Sequence, residues 1–124
     1  MFRKRKKGYT LEDKIQHSFV QTLRLSLKKA TVYHINNSGK TDSERMRHAY
    51  LGVLPGVPDL HIIWPNGHGY IEVKTPKGKQ SKVQKEFQKL CKKYDIPYAV
   101  CRTLEDVKTF LEINGIPHKP FTPL

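Results

Sequence analysis

The chain reads as a single α/β domain built on a mixed sheet, with elements in the order helix, strand, hairpin of two strands, helix, strand, helix. Three observations predict this. At 124 residues there is material for one hydrophobic core but not for a second. Apolar residues recur at helical spacing in some segments and form short β-rich runs in others. An Asn66-Gly67 pair separates two such runs, which is the strongest short-range signal for an antiparallel hairpin.

Each element has its own local reason. Thr10, with Asp13 three residues on, is a capping-box-like start for a helix reaching about Lys28, with an apolar stripe of Leu11, Ile15, Phe19 and Leu23. Glu12 shares a face with Ile15, Gln16 and Phe19, so a carboxylate is expected to point inward. Thr31 to Ile35 is the first strand, closed by the turn cluster Asn36-Asn37-Ser38-Gly39. Residues 40–54 are polar, then mildly apolar, without a clean period. They read as a long loop with one helical turn near Ser43 to Tyr50, and loops of that length are functional or mobile.

The hairpin strands are Asp59 to Trp64 and Tyr70 to Thr75, with residues 65–69 between them. A breaker-rich loop, Thr75 to Gln80, precedes a helix capped by Ser81 that runs to about Tyr94 and carries Val83, Phe87, Leu90 and Tyr94 as its apolar stripe. Pro97 to Cys101 is the last strand, paired in parallel through the helical crossover. Leu104 to Ile113 closes the domain. Residues 1–9 form a basic arm, 10–116 the domain, and 117–124 a proline-rich tail that cannot be helical.

The formal net charge of +12 and pI near 9.8 point to a polyanionic partner, with nucleic acid the default. No apolar run is long enough for a membrane span, and Arg3-Lys4-Arg5-Lys6-Lys7 lacks the apolar region of a signal peptide, so an intracellular, cytoplasmic protein is expected. Cys91 and Cys101 form no C-x-x-C, which supports neither a disulfide framework nor a zinc knuckle; both read as buried small apolar residues.

The chemistry gathers at the hairpin. A reversal near Asn66-Gly67 brings Asp59 roughly opposite Lys74, and side chains alternating with period two put Glu72 and Lys74 on one face. Two neighbouring carboxylates repel unless a cation joins them, and hard oxygen ligands suit Mg²⁺ or Mn²⁺. Lys82, Lys85, Lys89, Lys92 and Lys93 share the polar face of the following helix. With Lys77 and Lys79 in the loop before it, a phosphate backbone can run from the site along that face, the alternative being a face that is only solvated. His61 stands two residues after Asp59 on the same face and reads as structural, since His17, His34, His48, His68 and His118 show no ligand spacing. Trp64 and Tyr70 read as core or dimer-contact aromatics.

Pro58-Asp59 followed by Glu72-Val73-Lys74 resembles the PD-(D/E)XK nuclease signature. Gly56-Val57-Pro58-Asp59-Leu60 with Ile71-Glu72-Val73-Lys74-Thr75 resembles its virus-type replication-repair nuclease (VRR-NUC) branch, which includes the nuclease domain of the Fanconi-associated nuclease and small stand-alone phage and bacterial enzymes. The likeness spans about residues 10–113. It implies a restriction-endonuclease-like α-β-β-β-α-β core and a Mg²⁺- or Mn²⁺-dependent DNA endonuclease, in the cytoplasm of a bacterium or a phage-infected cell. It further implies that Asp59 and Glu72 bind the metal with the Val73 carbonyl, while Lys74 orients or activates the attacking water.

Because two carboxylates beside Lys74 favour its ammonium form, donation to a phosphate oxygen or to the water suits it better than proton abstraction. Glu12 matches the N-terminal helix glutamate of many relatives, a direct or water-mediated ligand; otherwise it only complements the helix dipole. Gln84 matches the glutamine that follows E-x-K and would orient Lys74 or a phosphate; otherwise it is a solvated helix residue. Stand-alone relatives imply a homodimer acting on branched, Holliday-junction-like DNA. Tyr50 to Leu54 and Ile116 to Phe121 are apolar material available for such a contact. The rival reading is a basic nucleic-acid-binding module in which the carboxylates are incidental.

Overall fold

The computed structural model of the chain describes residues 8–36 and 41–121; Arg3 to Lys7 lie outside them. The elements are α1 (Leu11–Ser26), β1 (Thr31–His34), α2 (Asp42–Leu51), β2 (Leu60–Trp64), β3 (Gly67–Val73), α3 (Lys82–Lys93), β4 (Tyr98–Cys101) and α4 (Leu104–Ile113). The four strands lie in the order β1-β2-β3-β4, antiparallel except for the parallel β3–β4 pair. The predicted α/β class and mixed sheet are therefore present.

Every described helix starts the same way. At Thr10, Thr41, Ser81 and Thr103 the cap hydroxyl accepts the backbone N–H three residues on, and that residue's side chain accepts the cap N–H in return. Two of the four orphan donors of each helix are satisfied in this way.

One face of the sheet, with Val32, Leu60, Ile62, Ile71, Val73 and Cys101, packs against Phe19 and Leu23 of α1 and Val107, Phe110 and Leu111 of α4. Gly69 allows α4 to come close, since a Cβ there would stand 3.2 Å from the Phe110 ring and 2.7 Å from the Pro97 carbonyl oxygen. The other face carries Tyr70 and Tyr98, and α3 lies over them through Phe87, whose ring meets Tyr70 edge-on at 5.2 Å.

Five expectations are corrected here. The hairpin turns at Pro65 and Asn66, and Gly67 already pairs with Trp64. Pro65 has its φ fixed near −65°. Among described non-glycine residues only Asp95 has a positive φ, so Asn66 does not adopt the left-handed geometry that an Asn-Gly mirror-image turn needs. Leu60 consequently pairs with Ile71, and Asp59 comes across from Glu72 rather than from Lys74.

Second, residues 42–51 form a complete helix rather than a loop with one turn. It buries no residue, so no hydrophobic period announces it; its Thr41–Glu44 box and the left-handed Gly52 (φ 93°) define its ends. Third, the buried residue of α3 is Cys91, with Gln84, Phe87 and Gln88 half-buried; Val83, Leu90 and Tyr94 are exposed. Fourth, Leu11 at the start of the α1 stripe is exposed as well. Fifth, residues 116–121 lie back along α1, the rest of the tail being outside the described residues: Ile116 is buried, Phe121 packs on the core, Lys119 N–H donates to the Ser26 carbonyl at 2.8 Å, and Leu27 bridges His118. Ile116 and Phe121 are thus not free apolar surface.

Candidate active site

Asp59 lies immediately before β2, after the turn of Pro55 and Gly56. Gly56 has φ 93°, and a side chain there would strike the Val83 carbonyl in the first turn of α3. Glycine thus lets the strand entry press against the helix and bring Asp59 alongside the end of β3. There the Val73 N–H donates to Asp59 Oδ2 at 2.8 Å. The Asp59 carbonyl accepts from Ile35 N–H at 2.8 Å and lies 2.9 Å from His34 Nδ1, which is also 3.0 Å from Gln16 Nε2. Burial holds the Asp59 carboxyl above the usual carboxylate range, opposed by the Val73 hydrogen bond and the charges of His34 and Lys74.

Glu72, near the end of β3, is wholly buried. Its Oε1 accepts from the Tyr98 hydroxyl, while Oε2 has no hydrogen-bond partner. The nearest cation to Oε2 is the Lys74 ammonium at 3.8 Å. Burial raises the Glu72 carboxyl as well, and Asp59 adds to the rise; Tyr98, Lys74 and Gln80 oppose it. Glu12, at the first turn of α1, is exposed rather than pointing inward, yet partial desolvation and then Asp59 raise its carboxyl, with Lys74 pulling the other way. Asp59, Glu72, Lys74 and Glu12 therefore form one electrostatic group.

Gln84 sits differently from its expected position. Its Oε1 accepts from Ser81 N–H at 2.8 Å in the capping box of α3. Gln80, in the preceding loop, reaches toward the centre instead: Nε2 is 3.3 Å from the Tyr98 oxygen and 3.0 Å from Gln88 Oε1. Lys77, Lys79, Lys82, Lys85 and Lys89 are all exposed, with no ion pair among the described residues. The loop carrying Lys77 and Lys79 is held by Arg102, whose Nη1 donates to the carbonyls of Thr75 and Gly78, each at 2.6 Å.

A family model described as the VRR-NUC domain matches residues 6–104. The chain belongs to that family. No curated protein and no solved structure matches it. As a VRR-NUC domain it is a nuclease-type hydrolase that acts on DNA. No helix of the described residues is long and apolar enough to cross a membrane.

The VRR-NUC residues present also bear on metal binding, since nuclease domains of this kind generally use divalent ions. Among the described residues no three His, Cys, Asp or Glu side chains are close enough together to hold an ion by themselves. A cage made only of side chains is therefore absent. The Asp59 charge does act on Glu72, however, with Asp59 held by the N–H of the next residue, Val73, and one oxygen of the buried Glu72 lacks any donor. Mg²⁺ characteristically takes one or two carboxylates and keeps waters or substrate phosphate oxygens for its other positions, so the donor set fits such an ion.

His61 belongs to a separate cluster, with Tyr33 OH 2.8 Å from its Nδ1 and His68 Nδ1 2.8 Å from its Nε2. Burial, then His68, lowers its basicity. Tyr70 lies against His61 and Phe87, and Trp64 packs edge-on against Phe110. The cleft between β4 and α4, lined by Pro97, Val100, Phe110 and Ile113, is also distinct from the carboxylate group, although Tyr98 borders both.

Sequence reasoning did not find Tyr98, Gln80, Gln16, His34 or Arg102. Tyr98 and Glu72 are far apart in the chain and meet only through the β3–β4 register, which no local pattern encodes. Arg102 carried a weak signal, a lone arginine directly after a strand.

Proposed function

We propose that this domain is a Mg²⁺- or Mn²⁺-dependent endonuclease that hydrolyses phosphodiesters in branched, Holliday-junction-like DNA as a homodimer. The observation that carries the reading is the meeting of Asp59, Glu72 and Lys74, with Glu72 Oε2 buried and without a hydrogen-bond donor. Asp59, Glu72 and the Val73 carbonyl hold the ion, and Glu12 adds a water-mediated contact. When bound, the ion supplies charge neutralisation for the scissile phosphate and acidifies a water.

Every other part of the work belongs to the chain. The Lys74 ammonium, 3.8 Å from Glu72 Oε2, donates to a phosphate oxygen or to the attacking water and offsets charge developing on the phosphoryl group. Lys77, Lys79, Lys82, Lys85 and Lys89 hold the phosphates that flank the cut. Gln84, engaged with Ser81 N–H through its oxygen, fixes the first turn of α3 and so the register of that lysine face. Resolving a four-way junction takes two symmetric nicks, which a two-fold dimer supplies. The exposed apolar side chains of Met46, Tyr50, Leu51 and Leu54 on and after α2 support such a contact.

The test is nicking of supercoiled plasmid and of a synthetic four-way junction, with and without chelator. Asp59→Asn and Lys74→Ala should abolish cleavage while DNA binding persists. Cleavage near the wild-type rate by either variant removes the catalytic assignment, and binding without any metal-dependent cleavage by the wild type favours the basic binding module.

A further inference from the structure

The two oxygens of Glu72 have different surroundings. Oε1 is tied to the Tyr98 hydroxyl; Oε2 has no hydrogen-bond partner. Tyr98 is fixed in turn, because Gln80 Nε2 stands 3.3 Å from its phenol oxygen while also donating to Gln88 Oε1 at 3.0 Å, and its ring lies 6.5 Å from that of Phe87. A chain of side chains from α3 and its leading loop thus ends on one oxygen of one buried carboxylate.

We infer that Tyr98, backed by Gln80, is a positioning residue that makes Glu72 a one-oxygen metal ligand and thereby favours Mg²⁺ and Mn²⁺ over Ca²⁺; the inference rests on the metal site proposed above. The physical argument is about which oxygens are free. Ca²⁺ takes six to eight oxygens in flexible geometry and accepts a carboxylate through both, whereas Mg²⁺ demands a small, near-octahedral shell. The phenol occupies one lone-pair direction of Oε1, which disfavours chelation through both oxygens relative to one-oxygen binding through Oε2. Glu72 is fully buried, which restricts its reorientation.

Tyr98→Phe removes the hydroxyl and keeps the ring against Phe87. Calorimetric titration of the metal-free full-length chain with Mn²⁺, and separately with Ca²⁺, reads the effect without DNA or turnover. The expected result is a Mn²⁺ affinity about 10-fold weaker, the usual size for loss of an outer-shell partner, with Ca²⁺ affinity unchanged or improved. Gln80→Ala should move the Mn²⁺/Ca²⁺ ratio the same way by less.

An unchanged ratio in Tyr98→Phe, even with a lowered melting temperature, would show a merely structural tyrosine and overturn the inference. If that variant does not fold, an unchanged ratio in Gln80→Ala overturns it. Wild-type chain that fails to bind Mn²⁺, or Asp59→Asn that binds it undiminished, overturns the metal site and the inference together. Binding that depends on Asp59 but ignores Tyr98 overturns the inference alone.

Discussion

Replacing Gly56 by alanine should destabilise the domain severely, and the magnitude can be worked from the contact it makes. A Cβ at Gly56 would lie 2.4 Å from the Val83 carbonyl oxygen and 2.6 Å from its carbonyl carbon. Both are backbone atoms in a helix and cannot swing aside. Left-handed backbone costs an L-residue about 1–2 kcal/mol, and forced overlap adds about 1–3 kcal/mol. The total of about 2–5 kcal/mol compares with about 5–15 kcal/mol for a whole domain. At roughly 3–5 °C per kcal/mol for this size, the melting temperature should fall by about 6–25 °C. Gly52 is the control. It has the same φ of 93° with nothing within 4 Å, so Gly52→Ala isolates the backbone strain of about 1–2 kcal/mol, at the end of a helix that buries nothing. Thermal unfolding followed by circular dichroism decides the matter. A Gly56→Ala chain melting within about 3 °C of wild type would refute the reasoning. Because Gly56 is three residues before Asp59, cleavage by the folded fraction should also fall.

Asp59→Asn should stabilise the metal-free protein increasingly as pH rises. The folded Asp59 carboxyl lies above its unfolded value, so its contribution is fully present below about pH 3.9 and is lost as pH climbs through the folded value; asparagine keeps an acceptor for Val73 N–H and does not titrate. The difference in melting temperature should widen from about pH 4 toward neutrality and close on adding Mg²⁺, and a difference that is flat with pH contradicts the burial argument. Replacing Lys82, Lys85 and Lys89 with glutamine should weaken binding to any DNA sequence and flatten the log-log salt dependence by about 0.9 per lost contact; an unchanged slope makes that face merely solvated. Sedimentation equilibrium without DNA should give a dimer, reduced to monomer by Tyr50→Ser with Leu51→Ser; a wild-type mass of 14.4 kDa at all concentrations sinks the preformed dimer.

The parts of the fold legible in the sequence were those set by local rules. α1 and α3 begin at capping residues that any reading would choose, Thr10 and Ser81, and Leu104 to Ile113 needed no tertiary information. Asp59, Glu72 and Lys74 were visible because apolar runs make their charges conspicuous. What was not legible depends on contacts between distant segments or on the absence of contacts. The hairpin register turned on which of Pro65-Asn66 and Asn66-Gly67 occupies the turn, a choice of one residue that shifts Asp59 by two partners. The buried side of α3 follows from what β3 and β4 present to it, which is why Phe87 and Cys91 are covered and Val83 and Leu90 are not. α2 was read as a single turn within a loop because periodicity reports burial, and this helix has none. The partnership of Tyr98 with Glu72 exists only once a parallel strand pair is in register.

A helix closed at one end by its own capping box and at the other by Gly52, and owing no side chain to the core, has a consequence for how this domain can change over generations. Mutations between Thr41 and Gly52 escape the stability threshold that restrains the sheet, because they leave no cavity and orphan no buried group. Substitutions there are filtered by what the surface touches and hardly at all by whether the chain folds. Across related sequences this segment should therefore diverge fastest in length and composition. It should be the first place where one lineage acquires a new DNA geometry or assembly partner while Asp59, Glu72 and Lys74 stay fixed. For an engineer the same freedom makes it the natural insertion point for a foreign recognition element.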